Sequence, residues 1–412
     1  MSAQTIKATI QSPPHAGPVE LDIDPFSDEV LANPFPVYER IREAGPVVYF
    51  PRYQSYAVAR SAEVRAVLKD WQNFSSALGG IGLGDIRKPD AWRPAGPIVE
   101  ADPPDHTKVR ALLQRLLSPT VIRSWRESFE READELVARL VAAGDFDAVT
   151  DVAEAFVFDV FPRAVGLAPT DRLAEKLVLI GELNFDGLGP RNERFMETER
   201  RVQDILPWYQ QSYHRSNMLP GGFGEQIFQA GDDGEIDPSI CEGLLRSFLR
   251  GGMDTTVSAI GCILWVLAAQ PAQWARLKEN PELAQSALEE AIRFDSPITS
   301  FYRTTTREVE FAGVRIPADA KVQVFLAAAN RDPRVWDSPD VFDINRSPRG
   351  HLAFGAGVHV CIGQMIARLE GEAVLKAFIR RVERIELRGE PVRRLNNCLS
   401  SFKSVPLRAI GA

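Results

Sequence analysis

The chain has 412 residues, 45% of them hydrophobic and 25% charged, which is ordinary for a soluble globular protein of one large or two smaller domains. Its formal net charge of −8 at pH 7 argues against nucleic acid as the main partner. The four cysteines are scattered, with neither zinc-site spacing nor a disulfide framework, so a reducing cytoplasm is expected. Because the first residues have no long apolar run, neither a signal peptide nor a membrane anchor is expected there, and the longest apolar stretch, 257–270, is expected to be too short to span a bilayer.

The N-terminal part of the chain predicts short elements separated by loops. Residues 1–25 are rich in proline and indicate a loose arm. A short amphipathic helix is expected over 34–44, and strands over 47–50 and 56–59 are expected to form a hairpin. Ser61 is expected to cap the helix that follows.

The rest of the chain predicts mostly helix. A glycine- and proline-punctuated loop at 79–97 is too long for a simple connector and indicates a binding loop or lid. Most segments from about 102 to 256 have helical periodicity, and the strongest helix, 239–269, is apolar on nearly every face, so it should be buried. The other expected elements are helices over 272–278 and 281–294 and strands over 309–311, 314–316, 322–325 and 400–408. The predicted fold class is therefore mainly α with a small segregated β portion, and not a doubly wound sheet.

A glycine-rich loop leads into Cys361. Phe354, Gly355, Gly357 and His359 precede it at every second or third position, and a helical pattern follows. At such a loop-to-helix junction, free N–H groups and the positive end of the helix dipole favour a thiolate. A thiolate held in this way suits haem iron. An inert buried cysteine, or a Cys–His nucleophile with His359 as base, would fit the same residues.

A second unusual stretch lies inside the predicted buried helix. Gly251 and Gly252 each cost about 1 kcal/mol relative to alanine in a helix, so a ligand close to the backbone is expected to offset that cost. Asp254 and Thr255 add an acid and a hydroxyl to an apolar helix. The alternative is a kinked helix in which the threonine bonds back to an earlier carbonyl.

Together these motifs resemble those of the cytochrome P-450 monooxygenases. Residues 354–363 read Phe-Gly-x-Gly-x-His-x-Cys-x-Gly, similar to the haem-ligand loop of that family, and residues 251–256 are similar to its oxygen-binding groove. Glu290 and Arg293, with Arg346 downstream, resemble its buried structural network. The resemblance covers nearly the whole chain, from about residue 34 to the C-terminal end.

The resemblance implies a single catalytic domain over 26–412 with the cytochrome P-450 fold, a triangular helical prism with a long central helix over haem b. The β-rich portions would lie at about 46–60, 298–326 and 396–410. Cys361 would be the axial thiolate ligand, and Asp254 and Thr255 would relay protons to dioxygen. The implied haem-binding residues are His106, Arg110, Arg303 and His359, which would hold the propionates, and Phe354, Gly355 and Gly363 of the loop.

Within the family, the chain is similar to bacterial enzymes that oxidise para-substituted benzoates such as 4-methoxybenzoate. That similarity implies a carboxylate site at Arg93 and Ser247, although Arg93 would also fit a solvated loop residue. The implied pocket residues are Val99, Phe185, Gly251, Ile298 and Phe301. Two residues depart from the group: Gly96 replaces an expected serine, and Arg250 replaces an expected small polar residue. These changes would alter carboxylate binding or admit another small aromatic or hydrophobic acid.

The implied reaction is hydroxylation, or O-demethylation of a methoxy group to a phenol and formaldehyde. Since the chain has no ferredoxin-like cysteine cluster, a [2Fe–2S] ferredoxin and an NAD(P)H-dependent ferredoxin reductase are expected to supply electrons. Arg115, Arg349 and Arg368 are the candidate basic residues of the docking face. A cytoplasmic monomer with no membrane partner is expected. A peroxygenase and a haem-binding protein without turnover are the alternatives, and the Asp254–Thr255 pair argues against both.

Overall fold

The computed structural model describes residues 17–168 and 173–411. Its α-helices are α1 Asp28–Ala32, α2 Phe35–Ala44, α3 Ser61–Lys69, α4 Asp105–Leu116, α5 Pro119–Ala143, α6 Ala155–Ala164, α7 Leu173–Asp186, α8 Glu193–Arg201, α9 Leu206–Ser212, α10 Phe223–Asp232, α11 Cys241–Gly251, α12 Asp254–Ala269, α13 Pro271–Glu279, α14 Ala284–Phe294, α15 Leu326–Ala329 and α16 Gln364–Arg381. Its strands are β1 Val19–Glu20, β2 Val48–Phe50, β3 Ser55–Val58, β4 Phe74–Ser75, β5 Asp145–Asp147, β6 Ser300–Thr305, β7 Val309–Phe311, β8 Val314–Ile316, β9 Lys321–Phe325, β10 Val382–Leu387, β11 Val392–Arg394, β12 Ser401–Ser404 and β13 Pro406–Gly411. The predicted fold class, mainly α with a small segregated β portion, is confirmed.

The predicted helix over 239–269 is wrong in one respect, because the structure divides it into α11 and α12 at Gly252 and Met253. A Cβ at Gly252 would overlap the ring of Phe161 in α6, so the backbone passes close to that ring. Glycine also weakens the helix at this point. The break places Asp254 at the first turn of α12.

The run Pro238–Ala269 is long and apolar enough to cross a membrane by length and composition, which corrects the expectation that every apolar stretch is too short. However, 78% of its most apolar window is buried inside the fold. Residues on different sides of α12, including Ile260, Cys262 and Ile263, are buried. The apolar character of this run is therefore explained by its place in the core.

The largest sheet has the strand order β1-β2-β3-β9-β6-β4. The predicted hairpin is confirmed, with β2 and β3 antiparallel and Val48 opposite Ala57. Strand β9 pairs in parallel with β3 and antiparallel with β6. The sheet therefore joins the N-terminal hairpin to strands from much later in the chain.

The predicted strand over 400–408 is two strands that belong to different sheets. Strand β12 pairs with β11, whereas β13 pairs with β10 and β5. Val405 lies between them, and its N–H donates to Asp147 Oδ2 at 3.0 Å. That contact ends one strand and directs the chain to the next sheet.

Two N-terminal expectations also differ from the structure. Arg60, not Ser61, is the N-cap of α3, and the Ser61 N–H donates to Asp332 Oδ2 at 2.8 Å. Of the predicted arm over 1–25, residues 1–16 lie outside the described residues. Within the rest, β1 pairs in parallel with β2.

Two large hydrophobic clusters occupy the interior. One is built mainly from helices and includes Leu264 and Phe378, and the other is built mainly from the large sheet and includes Val324. Val99, in the long loop between β4 and α4, packs against both clusters. The loop therefore lies where the helical and β portions meet.

Candidate functional site

Cys361 lies three residues before α16, at the predicted loop-to-helix junction. Its N–H donates to the Phe354 carbonyl at 2.9 Å. Burial raises the pKa of the Cys361 thiol, and the N–H groups of Gly363 and Gln364 act against that effect. The junction alone therefore does not favour a thiolate, contrary to expectation. A cation bound to the sulfur would supply the missing stabilisation.

Backbone conformation accounts for the glycines of this loop. Gly355 has φ +73° and Gly357 has φ +72°, in the left-handed region that favours glycine. A Cβ at Gly357 would also overlap the Leu68 carbonyl oxygen of α3. At Gly363 the nearest atom to an added Cβ is Cys361 Sγ at 3.9 Å, so a flat group could lie against the backbone there.

The four residues expected to bind propionates come from three separate segments: His106 and Arg110 from α4, Arg303 from β6, and His359 from the Cys361 loop. The ring centroids of His106 and His359 are 4.5 Å apart. Burial is the main cause that lowers the pKa of His359, and the charges of Arg303 and Arg110 lower it further. Arg110 donates to the Val360 carbonyl at 2.6 Å. The structure therefore brings these four side chains together.

This group has a surplus of buried donors. Among the residues that the structure describes, no carboxylate lies within 4.0 Å of Arg110 or Arg303, and the nearest acid to His359 is Asp102 at 3.7 Å. The Nε2 atoms of His106 and His359 are buried without a hydrogen-bond partner in the described chain. Burial lowers the pKa of Arg303 to about 10 and that of His106 to about 4. A dianionic group such as the two propionates of haem would fit these donors.

Thr255 and Gly251 border an open groove in α11 and α12. Thr255 is half-buried, and its Oγ1 donates to the Gly251 carbonyl at 2.9 Å, so the threonine does bond back to an earlier carbonyl. A Cβ at Gly251 would have no heavy atom within 4 Å. The groove could therefore admit a ligand close to the helix backbone.

Asp254 points away from that groove, towards α7. It is 4% exposed, burial raises its pKa to about 7, and its Oδ2 has no hydrogen-bond partner among the described residues. A Cβ at Gly181 of α7 would overlap the Asp254 carboxyl group. No hydrogen bond links the side chains of Asp254 and Thr255 in this part of the chain.

Sequence reasoning missed the surroundings of Asp254. Arg394 of β11 contacts Glu154 at 3.0 Å and Glu182 of α7 at 3.6 Å, and all three charges act on the Asp254 carboxyl. Arg394, Glu154 and Glu182 come from segments that are distant in the sequence and carry no local motif, and the same is true of Gly181. No sequence signal could have found them.

Of the expected pocket residues, Phe185 and Ile298 belong to the sheet-centred hydrophobic cluster, and the partly buried Val99 and Phe301 pack against it. Ser247 of α11 donates to the Gly243 carbonyl at 2.8 Å. The structure thus brings the apolar candidates together, and the hydroxyl of Ser247 is satisfied within its own helix.

Arg93 is not a solvated loop residue. Its side chain is only 9% exposed and forms an ion pair with Glu100, whose side chain is fully buried. The Gly96 N–H donates to Glu100 Oε2 at 2.8 Å, and Arg250 Nη2 is 3.9 Å from the same atom. The expectation that Arg93 is free for a substrate carboxylate must therefore be revised, because Glu100, which the sequence analysis missed, meets its charge.

The expected structural network is present as contacts. Arg293 forms a bidentate pair with Glu290 at 2.7 and 2.8 Å, and Arg346 Nε reaches Glu290 at 3.0 Å. Both Glu290 and Arg293 are fully buried. These contacts fasten α14 to the segment before the Cys361 loop.

The three candidate docking arginines differ in their surroundings. Arg349 is exposed, and Arg115 is exposed and paired with Glu235 at 2.5 Å. Arg368 is part-buried, pairs with Glu289 and lies 4.5 Å above the Phe354 ring. Arg368 therefore supports the loop rather than presenting a free charge.

Comparisons with known proteins agree with this geometry. A family model described as Cytochrome P450 matches residues 233–399. The chain is 46% identical to Cytochrome p450 CYP199A2 of Rhodopseudomonas palustris, over 98% of this chain and 97% of that protein. It is 31% identical to beta-dihydromenaquinone-9 omega-hydroxylase of Mycobacterium tuberculosis, over 89% of this chain and 74% of that protein.

Among solved structures, cytochrome P450 CYP109Q5 from Chondromyces apiculatus matches with a TM-score of 0.79 and 28% identity, over 95% of this chain and 99% of that one. Sequence similarity and fold therefore agree over nearly the entire length. The protein belongs to the cytochrome P450 family of monooxygenases, whose members bind haem through a cysteine thiolate.

Proposed function

We propose that the protein is a haem-thiolate monooxygenase for a small aromatic carboxylic acid, with Cys361 as the axial ligand. The observation that carries the ligand assignment is the state of the four cysteines. Cys241, Cys262 and Cys398 are fully buried and their sulfurs contact backbone carbonyls. The thiol of Cys361 has no such contact within the described chain, and it follows the glycine loop.

Haem would be held on its propionate side by His106, Arg110, Arg303 and His359. Phe354, Gly355 and Gly363 would form the loop that lies against the ring. When bound through a thiolate, haem supplies the activation of dioxygen, because the thiolate pushes electron density towards O–O cleavage.

Asp254 and Thr255 would manage protons. With a pKa of about 7, Asp254 can hold a proton at neutral pH and can exchange it with the Glu154, Glu182 and Arg394 side of the molecule. Thr255 presents its hydroxyl to the groove beside Gly251. A change of the Asp254 rotamer would bring a proton from the α7 side towards that hydroxyl.

The proposed substrate is a para-substituted benzoic acid, with another small aromatic or hydrophobic acid as the runner-up. Val99, Phe185, Ile298 and Phe301 would surround the ring, and Gly251 leaves room beside it. The polar end of the site lies near Ser247, where buried arginines surround the loop that carries Gly96. This combination of an apolar pocket and buried cations supports an aromatic acid.

Electrons would come from a [2Fe–2S] ferredoxin and its NAD(P)H-dependent reductase. Arg349 and Arg115, which are exposed, would contribute to docking on the Cys361 side. The protein would act as a cytoplasmic monomer. Charge reversal at Arg349 should slow electron transfer from the ferredoxin, and an unchanged rate would contradict this part of the proposal.

The test begins with the purified ferric protein, titrated with 4-methoxybenzoate. We expect a saturable shift of the Soret band to the high-spin form, followed by equimolar 4-hydroxybenzoate and formaldehyde once ferredoxin and reductase are added. Cys361→Ser should abolish the thiolate-type spectrum of the reduced carbon monoxide complex. The matched control Cys398→Ser should keep that spectrum.

Other outcomes would revise the proposal. A haem spectrum without any shift for aromatic acids would retain the family and reject the substrate class. Turnover with hydrogen peroxide that is faster than turnover with ferredoxin would favour the peroxygenase. A thiolate-type spectrum in Cys361→Ser would contradict the ligand assignment.

A further inference from the structure

A buried charge cluster, formed by Arg93, Glu100 and Arg250, lies between the long loop and α11. Glu100 accepts hydrogen bonds from Arg93 Nη2 and, at 2.8 Å, from the Gly96 N–H. The Glu100 N–H also donates to the Gly96 carbonyl at 3.2 Å. The carboxylate of Glu100 is therefore committed to Arg93 and to the shape of its own loop.

Arg250 is the second cation of this cluster and is much less well satisfied. Its side chain is 12% exposed, and its Nη2 lies 3.9 Å from Glu100, beyond hydrogen-bond distance. Its guanidinium makes no hydrogen bond to any described residue. Burial lowers the pKa of Arg250 to about 10, and the charge of Arg93 acts in the same direction. Two buried guanidiniums thus share one carboxylate, which leaves one positive charge without a counter-ion.

Two departures from the benzoate-oxidising group, Gly96 and Arg250, are structurally linked. A Cβ at Gly96 would lie 2.7 Å from Glu100 Oε2, 3.3 Å from Ser247 Oγ and 3.7 Å from Arg250 Nη2. A serine at 96 would therefore require the Glu100 carboxylate to move from its present position. The glycine admits an internal acid, and Arg250 then provides a cation that the acid does not fully neutralise.

The uncompensated charge lies at the polar end of the proposed pocket. Arg250 directly precedes Gly251, which borders the open groove, and it follows Ser247 by one helical turn. Tyr209 and Asn184 lie near Arg250, because Arg250 and Asn184 both lower the pKa of Tyr209 against the larger effect of burial, which raises it. Tyr209 Oη and Asn184 Nδ2 are buried without a hydrogen-bond partner in the described residues. The surroundings of Arg250 therefore offer further polar groups to an anion.

We propose that Arg250 binds the carboxylate of the substrate, and that Glu100 neutralises Arg93 and keeps it as a support of the loop. Arg250 is then the residue that selects acids over neutral aromatics. The bidentate guanidinium would replace the hydroxyl that Gly96 lacks. This inference rests on the proposed function, since it assumes an aromatic acid as substrate.

The experiment compares an acid with its neutral analogue. Arg250→Gln, with intact haem spectrum, is titrated with 4-methoxybenzoate and with 4-methoxybenzamide, by the Soret shift and by calorimetry. We expect the dissociation constant of the acid to rise by about 10–100-fold, because a charged hydrogen bond is lost, and that of the amide to change by less than about threefold. Arg215→Gln, which removes an exposed arginine paired with Asp232 and outside the buried charge cluster, is the control and should leave both constants unchanged.

A second variant separates Arg250 from Arg93 and serves if Arg250→Gln does not fold. The double variant Arg93→Gln with Glu100→Gln removes a neutral pair and keeps Arg250, so binding of the acid should be retained within about threefold. Equal affinity of Arg250→Gln and wild type for the acid, or loss of acid binding in the double variant alone, would overturn the inference and leave the proposed function intact. A wild type that binds the amide but not the acid would overturn both.

Discussion

Two buried carboxyl groups, Asp254 and Glu100, lie on opposite sides of the α11–α12 break and have opposite protonation behaviour. Burial raises the pKa of both. At Asp254 it prevails and the pKa reaches about 7, whereas at Glu100 the charges of Arg93 and Arg250 outweigh burial and lower the pKa. Burial alone therefore does not determine the state of an acid in this protein, because the nearest cations decide it.

The difference assigns separate tasks to the two sides. An acid without a partner can take up and release a proton near neutral pH, and an acid held by two guanidiniums stays ionised. Asp254 suits proton transfer, and Glu100 suits the fixing of positive charge beside the pocket.

The most severe test is Asp254→Asn, which removes the titratable proton and retains the shape of the side chain. We expect turnover to fall by about 10²–10⁴-fold, the usual contribution of a general acid or base, with an unchanged substrate-induced Soret shift. The control is Asp186→Asn. Asp186 is another buried acid, and burial raises its pKa to about 6, but its replacement should keep most of the turnover. An undiminished rate in Asp254→Asn would remove the acid from the proton path.

The matching change on the other side, Glu100→Gln, should affect stability more than chemistry. It leaves the Arg93 guanidinium buried without its counter-ion, so the free energy of unfolding should fall by about 3–5 kcal/mol, as measured by urea denaturation. The pKa of Glu100 is lower in the folded protein than in the unfolded chain. Ionised Glu100 therefore stabilises the fold at a pH above its unfolded pKa, and this stabilisation is lost as the pH falls towards its folded pKa. The free energy of unfolding of Glu100→Gln should therefore fall less than that of wild type on acidification.

If Glu100→Gln is as stable as wild type at neutral pH, the ion pair between Arg93 and Glu100 is dispensable for stability.

The smallest of the three effects concerns the pH dependence of turnover. If protonated Asp254 is the active form, the rate should decline as pH rises through about 7, by up to about tenfold per pH unit. The decline should be absent in Asp254→Asn. The rate should be measured from about pH 6 to about pH 9, which covers about one unit below and two units above the pKa of Asp254. A rate that stays flat or rises through this range would contradict the role of protonated Asp254.

The parts of the molecule that the sequence could predict are those encoded locally. The Cys361 loop carries its glycines, its histidine and the start of α16 within a few positions, so composition and spacing together indicate a loop before a helix. The hairpin of β2 and β3 is similarly local. The apolar run of α12 predicted its own burial, since no face of it is polar.

What the sequence could not predict depends on contacts between distant segments. The break at Gly252 follows from the ring of Phe161 in another helix, and the environment of Asp254 follows from Gly181 in α7. Even Glu100, only seven positions after Arg93, was missed, because loop conformation has no periodicity that shows which side chains meet. The positive charge of Arg93 was visible in the sequence, but its neutralisation was not.

The close approach of Gly357 to the Leu68 carbonyl has a consequence for biosynthesis. Leu68 is translated early and Gly357 near the end, yet the loop that holds Cys361 rests directly on α3. The loop cannot reach its final shape until it has packed against α3. The haem site is therefore complete only when segments far apart in the sequence have packed together, and we expect haem uptake to be a late step of folding.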